Sequence, residues 1–185
     1  MKRNINSTFL VSALFVATGL ILAGRATAQT YTMLRSFGDL TNVTGFNPRS
    51  TPIQAPDGTL YGTASGGQGS VAGTIFKVQP DGSGFTVLKW FTNSIEGATP
   101  YASLVLSGSA LYGTTALGGS SNYGTVFKID TSGTGYTVLK NFTGSDGANP
   151  SGVLPLSGSV LYGTTVRGGS SGNNGTVFKI GRAHV

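Results

Sequence analysis

The chain has 185 residues, with 12 Lys and Arg against 6 Asp and Glu, one histidine and no cysteine. Disulfide frameworks and thiol chemistry are excluded outright, and one histidine cannot build a His-rich metal site or a credible Ser-His couple. The formal charge of +6 is concentrated at the ends, where Lys2, Arg3, Arg25 and Arg182 lie. Without them the chain is near neutral, which removes the electrostatic case for nucleic acid.

Residues 1–28 read as a secretory signal peptide. Lys2 and Arg3 supply a positive start, Phe9 to Leu22 an apolar run, and Ala26-Thr27-Ala28 a small-residue cleavage site before Gln29. The run is short for a membrane span, which needs about 20 apolar residues. Export is therefore expected, with no membrane-spanning segment after processing.

Residues 31–37 (Tyr-Thr-Met-Leu-Arg-Ser-Phe) match Phe85 to Phe91 and Tyr136 to Phe142. Their β-forming, amphiphilic character predicts a strand. An opening strand of this type is expected to complete a blade begun elsewhere.

Three repeats follow, at about 48–91, 100–142 and 150–180. Leu-Tyr-Gly-Thr begins at Leu60, Leu111 and Leu161, and Gly-Thr-[Ile/Val]-Phe-Lys begins at Gly73, Gly124 and Gly175. In the second repeat, strand patterns at Ser103–Leu106, Ala110–Thr115, Thr125–Ile129 and Tyr136–Phe142 alternate with turn chemistry. Those turns are Ser107-Gly108, Gly118-Gly119 and Asp130-Thr-Ser-Gly133. No segment after residue 28 has the apolar spacing of a helix.

The fold predicted is all-β: β-propeller-like blades of four antiparallel strands, in an incomplete arc of about three blades. A period near 50 residues with four strands per unit fits a blade. A β-solenoid is the alternative, although solenoid coils are usually about 20–30 residues long. Phe127 and Ile129 on one face and Val126 on the other make both faces apolar, as in a sheet covered on both sides. Phe76 and Phe127 are expected to be buried, and Tyr61, Tyr112 and Tyr162 to pack between blades. The glycine in each Leu-Tyr-Gly-Thr implies a close approach or a bulge. Arg35, Lys89 and Lys140 recur on the last strand, a common guard for an edge.

The third repeat departs from the others after Ile180. Residues 181–185 (Gly-Arg-Ala-His-Val) read as sequencing-adapter read-through, with natural sequence ending near Lys179.

Tyr112-Gly-Thr-Thr-x-x-Gly-Gly119, Gly124 to Ile129 and Asp146-Gly-Ala-Asn-Pro150 resemble the GloVer tandem repeat of exported bacterial proteins, of the choice-of-anchor type. The resemblance covers Tyr31 to Ile180. It implies a signal peptide, many repeats and surface attachment through a C-terminal anchoring segment, and it brings no catalytic motif or ligand.

The residues agree with that silence. Asp57, Asp81 and Asp146 each precede glycine and Asp130 opens a Ser/Gly turn, so turn chemistry accounts for them. The Gly-Gly loops lack the Gly-Lys-[Ser/Thr] ending of a phosphate loop. No catalytic residue, metal ligand or cofactor is assigned. Trp90, which replaces Ser36 and Asn141, is the weak candidate for ligand binding. The function expected is a non-enzymatic exported repeat protein, a surface interaction or structural module whose partner would be a cell-surface or extracellular glycan or protein. The alternatives are a fragment of an extracellular polysaccharide hydrolase or lyase, and a glycan-binding propeller.

Overall fold

The computed structural model describes residues 30–37, 45–67, 71–92 and 95–181. The expected signal peptide and residues 182–185 lie outside the described residues. The chain divides into Met1–Thr32, of which the described residues 30–32 carry no strand, and Met33–Val185, which holds every sheet.

Twelve strands form, and the described residues contain no helix. The first sheet is β1 (Ile53–Gln54), β2 (Leu60–Ala64), β3 (Thr74–Val78) and β4 (Thr86–Trp90), in chain order. The second is β5 (Val105–Ser107), β6 (Ala110–Thr115), β7 (Thr125–Asp130) and β8 (Thr137–Asn141), also in chain order. In the third, β9 (Ala148–Pro150) and β10 (Leu156–Ser157) both pair with β11 (Val160–Arg167), which pairs with β12 (Thr176–Gly181). All pairings are antiparallel and stay within one repeat. The architecture is therefore three separate blades. The solenoid alternative is set aside, because among the described residues no strand pairs with its counterpart in the next repeat.

The first strand of each blade is interrupted at or just after a proline. Asn47-Pro48, Thr99-Pro100 and Asn149-Pro150 mark the break, and the residue before each proline is left-handed, with φ of 58°, 60° and 55°. Outside the break, bridges Phe46↔Gly66 and Ala98↔Leu117 correspond to the β9–β11 pairing at Ala148↔Arg167. The left-handed residue turns its N–H toward the preceding blade: Thr99 donates to Ala72 O at 2.7 Å and Asn149 to Tyr123 O at 2.9 Å. The backbone thus stitches neighbouring blades where a continuous strand could not.

The fourth strands carry a bulge. Ile75 opposes Lys89 while Phe76 opposes Val87, and Val126 opposes Lys140 while Phe127 opposes Val138. The extra residues, Leu88 and Leu139, both pack on the core. A bulge twists the strand locally and re-aims a side chain, here returning a leucine to the core next to a lysine.

Glycine in Leu-Tyr-Gly-Thr has a different cause from the one expected. The close approach comes from an aromatic ring, not from backbone. Gly113 opposes Phe127 across the ladder, and a Cβ there would lie 2.6 Å from the ring's Cζ. Gly62 and Gly163 stand in the same relation to Phe76 and Phe178.

The expected strand at residues 31–37 is not observed as one. Met33–Phe37 lies outside every ladder; Phe37 and Arg35 meet the first blade through their side chains, and the Leu34 carbonyl lies close over Gly82.

Candidate functional site

Alternation along β2–β3, β6–β7 and β11–β12 gives each blade two apolar faces. The rear face carries Leu and Phe: Leu111, Phe127 and Ile129 in the second blade. The forward face carries Tyr, Thr, Val or Ile, and Lys: Tyr112, Thr114, Val126 and Lys128. Forward packs on rear. Tyr61, Ile75 and Phe91 of the first blade cluster with Leu104, Leu111, Phe127 and Ile129 of the second. Tyr112, Val126 and Phe142 then cluster with Leu154 and Leu161 of the third, with Leu156, Phe178 and Ile180 at the margin.

The first interface is closed by an aromatic triangle. Phe91 lies 5.8 Å from Phe127 and 5.9 Å from Tyr136, which are 5.6 Å apart. Lys89 Nζ sits 4.6 Å above the Tyr136 ring and 2.6 Å from Glu96 Oε2. The Tyr136 hydroxyl donates to Glu96 O at 2.5 Å. Burial, reinforced by the Glu96 charge, pushes the Tyr136 phenol well above its ordinary pKa. Lys89 and Lys140 therefore do more than guard an edge. Lys89 spans two blades, and Lys140 pairs with Asp146 in the following linker. Burial opposes ionisation of Asp146, but Lys140 and the Thr143 N–H outweigh it and lower its pKa.

The same triangle stands behind the first blade. Phe37 lies 5.0 Å from Phe76 and 5.8 Å from Phe85, which are 5.5 Å apart. The Arg35 guanidinium sits 4.6 Å above Phe85. Phe37 takes the role of Phe91, Arg35 that of Lys89, and Phe85 that of Tyr136. Phe37 and Arg35 thus stand to the first blade as Phe91 and Lys89 stand to the second.

At the other end the forward face of the third blade is uncovered. Val126 is fully buried, whereas its counterpart Val177 is 82% exposed. Tyr112 is 5% exposed and Tyr162 41%. Val166 and Lys179 are exposed beside them. Among the described residues β12 pairs only with β11, so its outer edge is open. Tyr162 was expected to pack between blades; it is exposed because no described element covers its face.

Four of the carboxylates, on Asp57, Asp81, Glu96 and Asp146, are occupied locally. Asp57 Oδ1 accepts from Thr59 N at 3.0 Å and Asp81 Oδ1 from Ser83 N at 2.9 Å, both within turns. Hydrogen bonds from Ser83 also hold the Asp81 carboxyl below its ordinary pKa. Glu96 and Asp146 are in the ion pairs above. Among the described residues no three His, Asp or Glu side chains are grouped to hold a metal. Trp90 is half out of the edge strand β4, 42% exposed and opposite Thr74. Its counterpart Asn141 accepts from Ser120 N at 3.1 Å and so ties down the Gly118-Gly119 loop. The uncovered face and Met33–Phe37 were not singled out as functional from the sequence. Motif matching pairs Phe37 with Phe91, but no motif reports which face is left exposed.

The family model of the Gloeobacter/Verrucomicrobia repeat matches residues 14–184. No curated protein is significantly similar in sequence. Among solved structures, a chain described as "Crystal structure of Nidogen/Laminin Complex" is similar with a TM-score of 0.52 at 18% identity. The match covers 74% of this chain and 44% of that one, so this chain spans less than half of the length it resembles. At that identity the likeness speaks to fold alone.

Proposed function

The chain belongs to the Gloeobacter/Verrucomicrobia repeat family, and from that premise we propose that it is a non-enzymatic, exported repeat protein acting as a structural or interaction module at the cell surface. The observation that carries this reading is where the repeated residues go. Leu-Tyr-Gly-Thr and Gly-Thr-Val-Phe-Lys are consumed in packing one blade on the next, with Tyr61, Ile75 and Phe91 against Leu111, Phe127 and Ile129. The motif is a stacking device, and selection for stacking explains it without a reaction. Export rests on Lys2, Arg3, the Phe9–Leu22 run and Ala26-Thr27-Ala28.

Cell fractionation with N-terminal sequencing tests the reading. The expected product begins at Gln29 and is found outside the cytoplasm, degraded by protease added to intact cells. A cytoplasmic protein retaining residues 1–25 overturns export.

Trp90 favours a second reading, glycan binding, because it is an exposed aromatic on an outer strand, and such rings stack on sugars. Binding to a panel of polysaccharides that is lost in Trp90→Ala, with folding unchanged, would select it over the structural role.

A further inference from the structure

We infer that Arg49 and Tyr101 form a binding site for the carboxylate of a hexuronate unit in an acidic polysaccharide. The site serves the interaction-module reading, on which it rests, and sits at the opposite sheet edge from Trp90.

It stands where the repeat is broken. Each blade has the same proline, but the residue after it is Arg49, Tyr101 and Ser151 in turn, and the next is Ser50, Ala102 and Gly152. Arg49, Ser50 and Tyr101 all fall on the seam between the first two blades. There the Arg49 guanidinium lies 5.4 Å from the centre of the Tyr101 ring. The cations of the other ring contacts, Arg35, Lys89 and Lys140, share one repeated position and belong to the stacking of blades. Arg49 does not. Thr63 locks the spot. Its hydroxyl bonds Ser50 Oγ at 2.9 Å and donates to Ala102 O at 3.2 Å, so the residues after Arg49 and Tyr101 are tied to one group. On the other side of Tyr101, Thr99 N donates to Ala72 O at 2.7 Å. The second seam has Tyr101 and Ser151 in these places, without a cation, and its Thr114 hydroxyl makes no such bond.

The pair is arranged to receive an anion. Arg49 is exposed and, among the described residues, is in no ion pair with a carboxylate. Stacking uses the face of a guanidinium and leaves its edge, the N–H fork, for an in-plane carboxylate. Tyr101 is 38% exposed, and Phe46, which flanks the Asn47-Pro48 break, is 41% exposed, so apolar surface adjoins the charge. One cation beside aromatic surface suits a single carboxylate carried on a sugar ring, whose C–H face packs on such surface. Sulfate- or phosphate-dense chains call for several cations, and Ser151 supplies none.

Affinity electrophoresis of the purified full chain in gels cast with polygalacturonate tests the site. Wild type should be retarded there and not by neutral galactan. Arg49→Gln should weaken binding about tenfold or more, the loss of one charge-assisted fork. Arg49→Lys keeps the charge without the fork and should lose nearly as much. Tyr101→Leu should lose about two- to fivefold. Unfolding midpoints check that each variant is folded. Retardation should fade as pH drops below about 4, where the uronate is protonated and arginine is still charged. Three results overturn the inference: wild type that is not retarded, Arg49→Gln retarded like wild type, or dextran sulfate retarding wild type as strongly as polygalacturonate. None of them touches the stacking role of the repeat. Binding lost in Trp90→Ala but kept in Arg49→Gln also overturns it, and moves the ligand to Trp90.

Discussion

The second and third blades carry nearly the same words, Leu-Tyr-Gly-Thr-Thr and Gly-Thr-Val-Phe-Lys-Ile, yet occupy different environments. Every residue of β6 is buried, while β11 and β12 alternate between covered and exposed. The difference lies in the neighbours. The second blade has an apolar sheet on each side, and the third, among the described residues, has one on its rear only. A repeat sequence specifies two sticky faces per unit, but burial is a property of the stack. Stabilities should therefore differ at equivalent positions, and equilibrium denaturation of paired variants measures by how much.

The largest difference is expected at the cross-strand phenylalanine. Phe127 is fully buried against Phe91 and Tyr136, so Phe127→Ala should cost about 3–5 kcal/mol. Phe178 is half-buried at the margin of the second cluster, where its described ring neighbour is Phe142, at 5.1 Å. Phe178→Ala should cost roughly half as much, in proportion to the apolar area lost. Equal losses would mean that the third blade's free face is covered in solution.

Glycine before the third strand comes next. Gly124 has φ of 95°, and a Cβ would meet Thr115 O at 2.4 Å and Pro150 Cδ at 2.6 Å. The proline belongs to the next blade, so Gly124→Ala should cost about 2–4 kcal/mol through strain and overpacking together. Gly175→Ala meets its own blade's Thr165 O at 2.3 Å but no proline. Its cost should be smaller, and the gap between the two isolates the blade-to-blade contact.

Much of this was readable from the residues, and the unreadable part has a common cause. Four strands per repeat, apolar on both faces, follow from Phe127, Ile129 and Val126 in alternation. The turn role of Asp57 and Asp81 follows from the glycine after each. The split first strand was missed, because its signal is a left-handed residue before proline, and Thr99 gives no hint of that conformation. The segment 31–37 was read as a strand from its match to Phe85–Phe91 and Tyr136–Phe142. Its side chains do occupy that role, but no described strand offers it an edge, so it forms no ladder. Val126 and Val177 stand in the same motif, so the motif alone does not tell the buried copy from the exposed one.

The two interfaces also differ in polar closure. Tyr136 donates to Glu96 O across the first interface, and the second has no described counterpart. Tyr136→Phe should cost about 1.5 kcal/mol at neutral pH, the usual worth of such a bond plus the carbonyl left unpaired. The pH limb has a definite sign. The folded state keeps the phenol protonated more strongly than the unfolded chain does. Its contribution is therefore full below the ordinary pKa of 10.0 and is lost as pH rises beyond it. Tyr61, also raised by burial and then by Asp57, adds to the same limb. Tyr136→Phe should lose stability less steeply above that pH than wild type. An unchanged alkaline slope would place Tyr136 in solvent.

Left-handed strain separates the interfaces by a smaller amount. Asn149 suits φ of 55° and its Nδ2 donates to Ala116 O at 2.9 Å. Thr99, a β-branched residue at φ of 60°, holds the equivalent place and is strained there. Thr99→Asn should stabilise by about 1 kcal/mol, by relieving that strain and supplying the bond to the second strand. A loss of stability instead would mean that the first break has a different geometry.

The smallest contrast is between two threonines on forward faces. Thr63 donates to Ala102 O of the next blade at 3.2 Å and bonds Ser50 Oγ at 2.9 Å. Thr114, equally buried, has a hydroxyl with no hydrogen-bond partner. Ala102 corresponds to Gly152, which packs against Thr164 and offers Thr114 no bond in return. Removing a satisfied hydroxyl leaves a carbonyl short of a donor, and removing an orphan relieves a desolvation cost. Thr63→Val should therefore lose about 1 kcal/mol, while Thr114→Val should be neutral or gain up to about 1 kcal/mol. The signs matter more than the sizes. If both variants lose stability alike, Thr114 has a partner in solution, and the second interface closes more tightly than its side chains indicate.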